Sequence, residues 1–163
     1  MKTPDFGEDL PFGQQREREL LMLAGGWLVK NNLDNPKAPD LRTASGELME
    51  LKSERYPYGG NLGLEIISNQ NTGSAGGVFR AKKEHAKYYS HLMIDNVLII
   101  FETDRLLDFV NGHLFKDGKM IGTPPFGFWD VQNASNRTKN WICPISSLET
   151  VVLRTIWLND FKK

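Results

Sequence analysis

Apolar residues first recur at helical spacing. In Gly13 to Lys30, GQQRERELLMLAGGWLVK, residues Leu20, Leu21, Ala24 and Leu28 follow a polar first turn. That spacing predicts an amphipathic helix ending near Gly25-Gly26. From Pro39 the period changes to two, and Ser45-Gly46 separates DLRTA from ELMELKSE, the pattern of a β-hairpin. After the turn-rich YPYGGN, Leu62 to Ser68 (LGLEIIS) reads as a third strand. The loop that follows, NQNTGSAGG, is read as exposed or ordered by a ligand. Ala81 to Met93 predicts a second helix, and Asn96 to Glu102 a strand whose unbroken apolar run calls for cover on both faces.

The remainder is less regular. Asp104 to Asn111 suits a short helix, and HLFKDGKMIG a hairpin around Asp117-Gly118. Thr123 to Asn140, rich in Pro, Gly, Asn and aromatics, reads as a long loop. ISSLETVVLRTIWL suits a closing helix, its β-branched pairs leaving a strand open. The leading order is helix, three strands, helix, strand, which is an α/β pattern.

Composition narrows this picture in a few places. At 163 residues, with 40% apolar and 25% charged positions, the chain is read as one soluble domain spanning 1–163, with a core at about 13–102 and an elaboration over 103–163. Twenty basic and twenty acidic residues leave a formal charge of zero, so any nucleic-acid binding has to come from a local patch. No stretch has the form of a signal peptide or approaches the ~20 apolar residues of a membrane span. The expectation is a cytoplasmic protein with no membrane partner. Cys143 is the single cysteine, which excludes an internal disulfide and a thiolate zinc site and suggests a small buried residue. The triplets at Asn133 and Asn136 are taken as loop composition.

The hairpin carries candidate chemistry. Residues two apart on a strand share a face, so Glu50 and Lys52 project together while Met49 and Leu51 point the other way. Asp40 heads the preceding strand, and antiparallel pairing would bring it level with Glu50. Two carboxylates, completed by waters, a carbonyl and substrate phosphate, suit Mg²⁺. Such an ion polarises a phosphate and acidifies an attacking water, and a neighbouring lysine can orient or deprotonate that water. Alternating charge is also common on a solvated strand.

Pro39-Asp40 followed by Glu50-Leu51-Lys52 resembles the signature of the PD-(D/E)xK nuclease superfamily. The resemblance covers about Gly13 to Glu102 and extends to GGNLGLEIISNQNTGSAGGVFRAKKEHAKYY, which is similar to a subgroup common among phage nucleases. In that comparison Glu65 falls at an additional acidic position on the third strand, and Ala86 to Tyr89 on the helix packed behind it. The resemblance implies a restriction-endonuclease-like fold, a mixed sheet flanked by helices, and Mg²⁺-dependent hydrolysis of DNA, with Mn²⁺ able to substitute. Asp40, Glu50 and the Leu51 carbonyl would hold the metal, Lys52 would position or activate the water, and Glu65 and Glu17 would be auxiliary. The setting implied is the cytoplasm of a bacterial or phage-infected cell.

The supporting residues keep alternatives of their own. Glu17 shares a face with Leu20, Leu21 and Ala24 and is preferred to Glu19 as the inward acid, although a first-turn glutamate also suits the helix dipole. Glu65, between Leu64 and Ile66, needs a partner such as a metal, Lys52 or an arginine, unless its strand is an edge facing water. His85, His91 and His113 are read as surface or packing residues.

Phosphate contacts are expected from Arg80, Lys82, Lys83 and Lys87, with Arg55, Tyr56 and Tyr58 lining the cleft and Arg137 to Lys139 as a second arm. A homodimer would suit a nuclease that cuts both strands. The alternative reading is an inactive nucleic-acid-binding or assembly protein that keeps the nuclease fold.

Overall fold

The computed structural model describes residues 6–116, 119–120, 127–133 and 136–161. In chain order, α1 (Phe6–Ala24) leads to β1 (Leu28–Lys30), β2 (Leu41–Thr43), β3 (Leu48–Ser53), β4 (Asn61–Asn69) and β5 (Ser74–Ala75). Next come α2 (Gly77–Lys83), β6 (Tyr88–Leu92), β7 (Val97–Glu102) and α3 (Thr103–Leu114). The chain closes with β8 (Phe115–Lys116), β9 (Lys119–Met120), β10 (Gly127–Asn133), β11 (Asn136–Pro144) and β12 (Val152–Trp157), and single 3₁₀ turns flank β12. No helix among the described residues is long and apolar enough to cross a membrane.

Two sheets dominate. The larger runs β1-β2-β3-β6-β7-β12 and the smaller β10-β11-β4-β5. Among the described strands β3 and β6 alone pair in parallel, and α2 lies in the crossover between them, so the larger sheet is mixed. Alternation along its strands gives it two apolar faces. Leu41, Met49, Leu51, Leu92, Leu98 and Ile100 pack with Leu20 of α1. Tyr89, Val97, Ile99 and Phe101 point the other way, onto Leu62, Leu64 and Ile66 of β4, Val78 and Ala81 of α2, and Leu106 and Val110 of α3. Cover on both faces explains why Val97 to Phe101 is buried at every position, as its apolar run predicted. Cys143 is buried in the second of these cores, where burial pushes its thiol up to about 12.

The first helix stops at Ala24, in agreement with the expected end near Gly25-Gly26, and the two glycines take positive φ of 59° and 89°, the conformation in which glycine ends helices. Leu28, which continues the helical spacing beyond that stop, begins β1 and pairs with Thr43. Several other expectations are corrected. The helix expected over 81–93 is displaced. The α2 helix ends at Lys83, with His85 at φ 62°, its N–H bonded to the Lys82 carbonyl and the Ala86 N–H to that of Ala81. This is a Schellman closure with histidine at the left-handed position that glycine usually fills. Ala86 therefore sits in a turn and Tyr88 and Tyr89 in β6, where aromatic side chains favour the extended chain.

The third strand was correctly located at β4, but β4 pairs with β11 and β5 in the smaller sheet rather than with β3. The described part of Thr123 to Asn140 forms β10 and the start of β11, not a loop. The tail takes the strand alternative, and β12 closes the larger sheet against β7. The hairpin at Asp117-Gly118 appears as β8 paired with β9, its two turn residues lying outside the described ones.

Candidate active site

The β2-β3 hairpin forms as expected. Leu41 faces Met49 and Arg42 faces Leu48, a register that brings Asp40 to the level of Glu50. The Asp40 carboxylate accepts the Leu51 N–H at 2.9 Å and the Asn32 side-chain amide at 3.2 Å. Burial raises Asp40 to about 6, the negative charge of Glu50 adds to that, and the Leu51 N–H and Lys52 only partly offset it.

Glu50 is 3% exposed. Its Oε1 accepts from Lys52 Nζ at 2.9 Å and from the Arg80 guanidinium at 2.8 Å. Burial pushes Glu50 up, but Lys52 and then Arg80 more than offset it, leaving its pKa below the usual carboxylate value. Lys52 is held above its ordinary value despite the opposing effect of burial, because Glu50 and Glu65 both face it. The side chain is thus an ammonium ion at neutral pH, suited to orient an oxygen and unsuited, in this state, to remove a proton.

A cleft of about 940 Å³ opens beside this cluster, lined by Glu17, Asp40, Lys52, Glu65, Tyr89 and Asn140 among others. Glu17 comes from α1, is buried, and pairs with Lys30 at 2.6 Å. Glu19 turns aside to Arg16 and Gln15, so the preference for Glu17 as the inward acid agrees with the structure. Glu65 reaches the cleft from β4, and its recorded partner is the Gly77 backbone N–H at 3.3 Å. A Cβ at Gly76 would stand 2.6 Å from the Glu65 carboxylate, and one at Gly77 only 2.1 Å from the Glu65 carbonyl. The glycine-containing loop is therefore seated on Glu65, and the two glycines permit the close approach.

The positive residues divide differently from the expectation. Arg80 belongs to the cluster as a partner of buried Glu50. Lys82 pairs with Asp104 at 2.7 Å and Lys87 with Glu47 at 3.1 Å, while Lys83 lies exposed nearby. Arg55 stacks over the Phe12 ring at 4.2 Å, and Tyr58 meets Trp157 edge to face at 5.3 Å. Arg137 and Lys139 both turn to Asp130. His91 is a packing residue, fully buried with Nδ1 2.7 Å from Glu54. His85 and His113 are exposed, as read from the sequence.

Three features were not anticipated. They are the Arg80 contact with Glu50, the Asn32 and Lys30 contacts from the chain before β2, and Tyr89 at the cleft with a buried hydroxyl that has no hydrogen-bond partner among the described residues. A half-exposed arginine on a seven-residue helix leaves no periodic signal, and the other two depend on how separate elements dock.

Among the described residues, no three His, Cys, Asp or Glu side chains stand close enough to hold a metal ion by themselves. The donor set still fits a hard divalent cation. Mg²⁺ is commonly held by one or two carboxylates with waters and substrate phosphates, and the mutual repulsion of Asp40 and Glu50 is the kind that such a charge relieves. No protein-family model matches the chain, and no curated protein matches it.

Proposed function

We propose that the chain is a metal-dependent nuclease of the PD-(D/E)xK type, hydrolysing phosphodiester bonds of DNA as an endonuclease. The observation that carries this reading is the Asp40 carboxylate fixed on the Leu51 N–H, level with Glu50 and beside Lys52, at the edge of a large cleft. The order of α1, the antiparallel run β1-β2-β3, the α2 crossover and parallel β6 supports a restriction-endonuclease-like core. Asp40, Glu50 and the Leu51 carbonyl would hold Mg²⁺ or Mn²⁺. The ion would supply Lewis-acid polarisation of the phosphate and a more acidic water. Lys52, as an ammonium ion, orients the attacking oxygen and offsets charge on the phosphate. Arg80 keeps Glu50 ionised, and Glu17 and Glu65 add negative charge along the cleft.

The test is incubation with labelled linear, branched and single-stranded DNA, circular DNA, and RNA, with and without Mg²⁺. The expected outcome is Mg²⁺-dependent cutting, including of circles, that disappears in Asp40→Ala and Lys52→Ala variants whose circular dichroism is unchanged. Undiminished cutting by either variant overturns the assignment.

One observation favours a second reading, a nucleic-acid-binding or assembly protein without catalysis: Glu50 Oε1 is already shared by Lys52 and Arg80. Calorimetry separates the two, since this reading expects no uptake of Mg²⁺ or Mn²⁺ at millimolar concentration.

A further inference from the structure

Beyond Lys52, strand β3 runs out along the C-terminal end of β6. The Glu54 N–H bonds to the Leu92 carbonyl at 2.8 Å and the Ile94 N–H to that of Tyr56 at 3.2 Å. This extension carries an aromatic surface from the cleft to the sheet edge. Tyr56 and Pro57 line the cleft. The next residue, Tyr58, is anchored by its N–H on the Asp95 carboxylate at 3.1 Å and meets the Trp157 ring of β12. Tyr56 is 50% exposed and Trp157 51%, with half-exposed Ile94 between their strands. Large apolar side chains left in water together, rather than singly, mark a binding surface.

The charges decide which occupant suits it. A duplex is held chiefly through phosphates by unengaged lysines and arginines. Here Lys82, Lys87, Arg80, Lys52 and Lys30 are each committed to a carboxylate, Lys83 alone of the α2 cations has no carboxylate partner among the described residues, and the whole chain is neutral. Phosphate contacts beyond Lys83 would have to displace those pairs. Stacking of bases on aromatic rings needs no such exchange, and it requires bases that are not already paired.

We infer that the rim formed by Tyr56, Tyr58 and Trp157 stacks the bases of a single-stranded stretch of DNA and leads it into the cleft. The choice of DNA rests on the nuclease reading. The inference deepens it by naming the substrate class as DNA with an unpaired segment, such as a flap, a gap or a frayed end.

The test measures binding in EDTA, where cleavage cannot interfere. Fluorescence anisotropy of a labelled oligothymidylate of about 12 nucleotides, within the span that single-strand sites usually cover, is compared with a duplex of equal length. The single strand is expected to bind about tenfold tighter or more. Tyr56→Ala and Trp157→Ala should each weaken it about tenfold, the range for loss of one stacked base, while leaving duplex binding unchanged. Tyr56→Phe, which keeps the ring, should bind as the parent does. Melting curves guard against loss of fold.

Duplex binding as tight as single-strand binding, no detectable single-strand binding, or Ala variants that bind like the parent would each overturn the inference. Because no metal is present, failure here leaves the cleavage assay to judge the nuclease reading on its own, and the reverse holds too.

Discussion

The β2-β3 hairpin bears an acid near each end, and the two are opposites. At the turn, half-exposed Glu47 accepts from the Ser45 and Thr43 hydroxyls and from Lys87, and these donors, Ser45 first, hold it down at about 2. At the open end, Asp40 is raised to about 6 by burial and by the charge of Glu50. Both are ordinary carboxylates on one small unit of structure. The difference lies in whether donors or charges outnumber each other where water is scarce. A satisfied acid is finished structure, whereas a partly buried acid short of positive charge is where a cation or a substrate gains by binding.

The largest effect that could break this contrast is on cleavage. Asp40→Ala should lower the rate of Mg²⁺-dependent DNA cutting by at least about a thousandfold, the scale expected when a metal-supporting group is lost. Glu47→Ala should change it by less than about threefold, because that acid meets no part of the cleft. Gel assays of the two variants side by side decide the matter, and equal losses would erase the distinction.

Next in size is the stability each cation lends. Removing one partner of a fully buried pair costs roughly 3–5 kcal/mol. Arg80→Ala should cost less, about 2 kcal/mol, because Arg80 is itself 39% exposed and Lys52 still serves Glu50. Lys87→Ala, at the turn, should leave the melting temperature unchanged, since exposed pairs are screened by water and salt. Denaturant titrations of both variants give the comparison.

The hairpin was legible because its period of two, its Ser-Gly turn and the candidate residues Asp40, Glu50 and Lys52 all lie within sixteen consecutive positions. Its register then follows from the turn. Helix α1 and strand β7 were legible for the same reason, a pattern complete within the element. What escaped depends on elements far apart in the chain. Leu28 extends the helical spacing of Leu20, Leu21 and Ala24, so nothing local separates β1 from α1 except the two glycines. The α2 stop carries histidine where glycine would have announced it. Strand β4 has a strand's sequence, but its choice of β11 over β3 is a matter of packing. The helix, three-strand, helix, strand order was thus read with the wrong member, since β1 and not β4 completes the antiparallel run with β2 and β3. Asp40, Glu50 and Lys52 meet because one hairpin holds them. Arg80 joins them only because α2 docks over the sheet, which turns a residue expected on phosphate into a partner of Glu50.

The pH dependence of stability sharpens the comparison at its centre. Asp40 moves from 3.8 when unfolded to about 6 when folded. Between these values the folded chain binds more protons than the unfolded one, so stability falls as pH rises through that window. Above it, the fold carries the full cost of an ionised Asp40. Asp40→Asn should therefore raise stability by up to about 3 kcal/mol at pH 7.5, the scale of a shift of this size. The gain should vanish near pH 4, where the native carboxyl is itself neutral. The amide can still accept the Leu51 N–H, and the Asn32 carbonyl oxygen, which has no partner among the described residues, becomes available to accept from its NH₂ after a flip. Melting curves at the two pH values check the sign, and a gain that persists at pH 4 would trace it to packing instead of charge.

The smallest effect concerns a group that neither end of the hairpin satisfies. Tyr89 stands beside Glu50 across the parallel ladder, fully buried at the cleft, with its hydroxyl unpartnered among the described residues. Burial first, then the charges of Glu50, Glu65 and Glu54, keep its pKa well above the ordinary value, so at working pH it remains a neutral phenol whose O–H is a hydrogen-bond donor in need of an acceptor. A buried donor without an acceptor is a cost of about 1–3 kcal/mol to the fold, and deleting it while keeping the ring removes that cost. Tyr89→Phe should accordingly leave stability unchanged or raise it by up to about 1 kcal/mol. A loss of that size would mean the hydroxyl has a partner, most simply a bound water, and the inner end of the site would then be better satisfied than Asp40 suggests. A gain would place Tyr89 with Asp40, among the groups that the fold holds ready at its own expense.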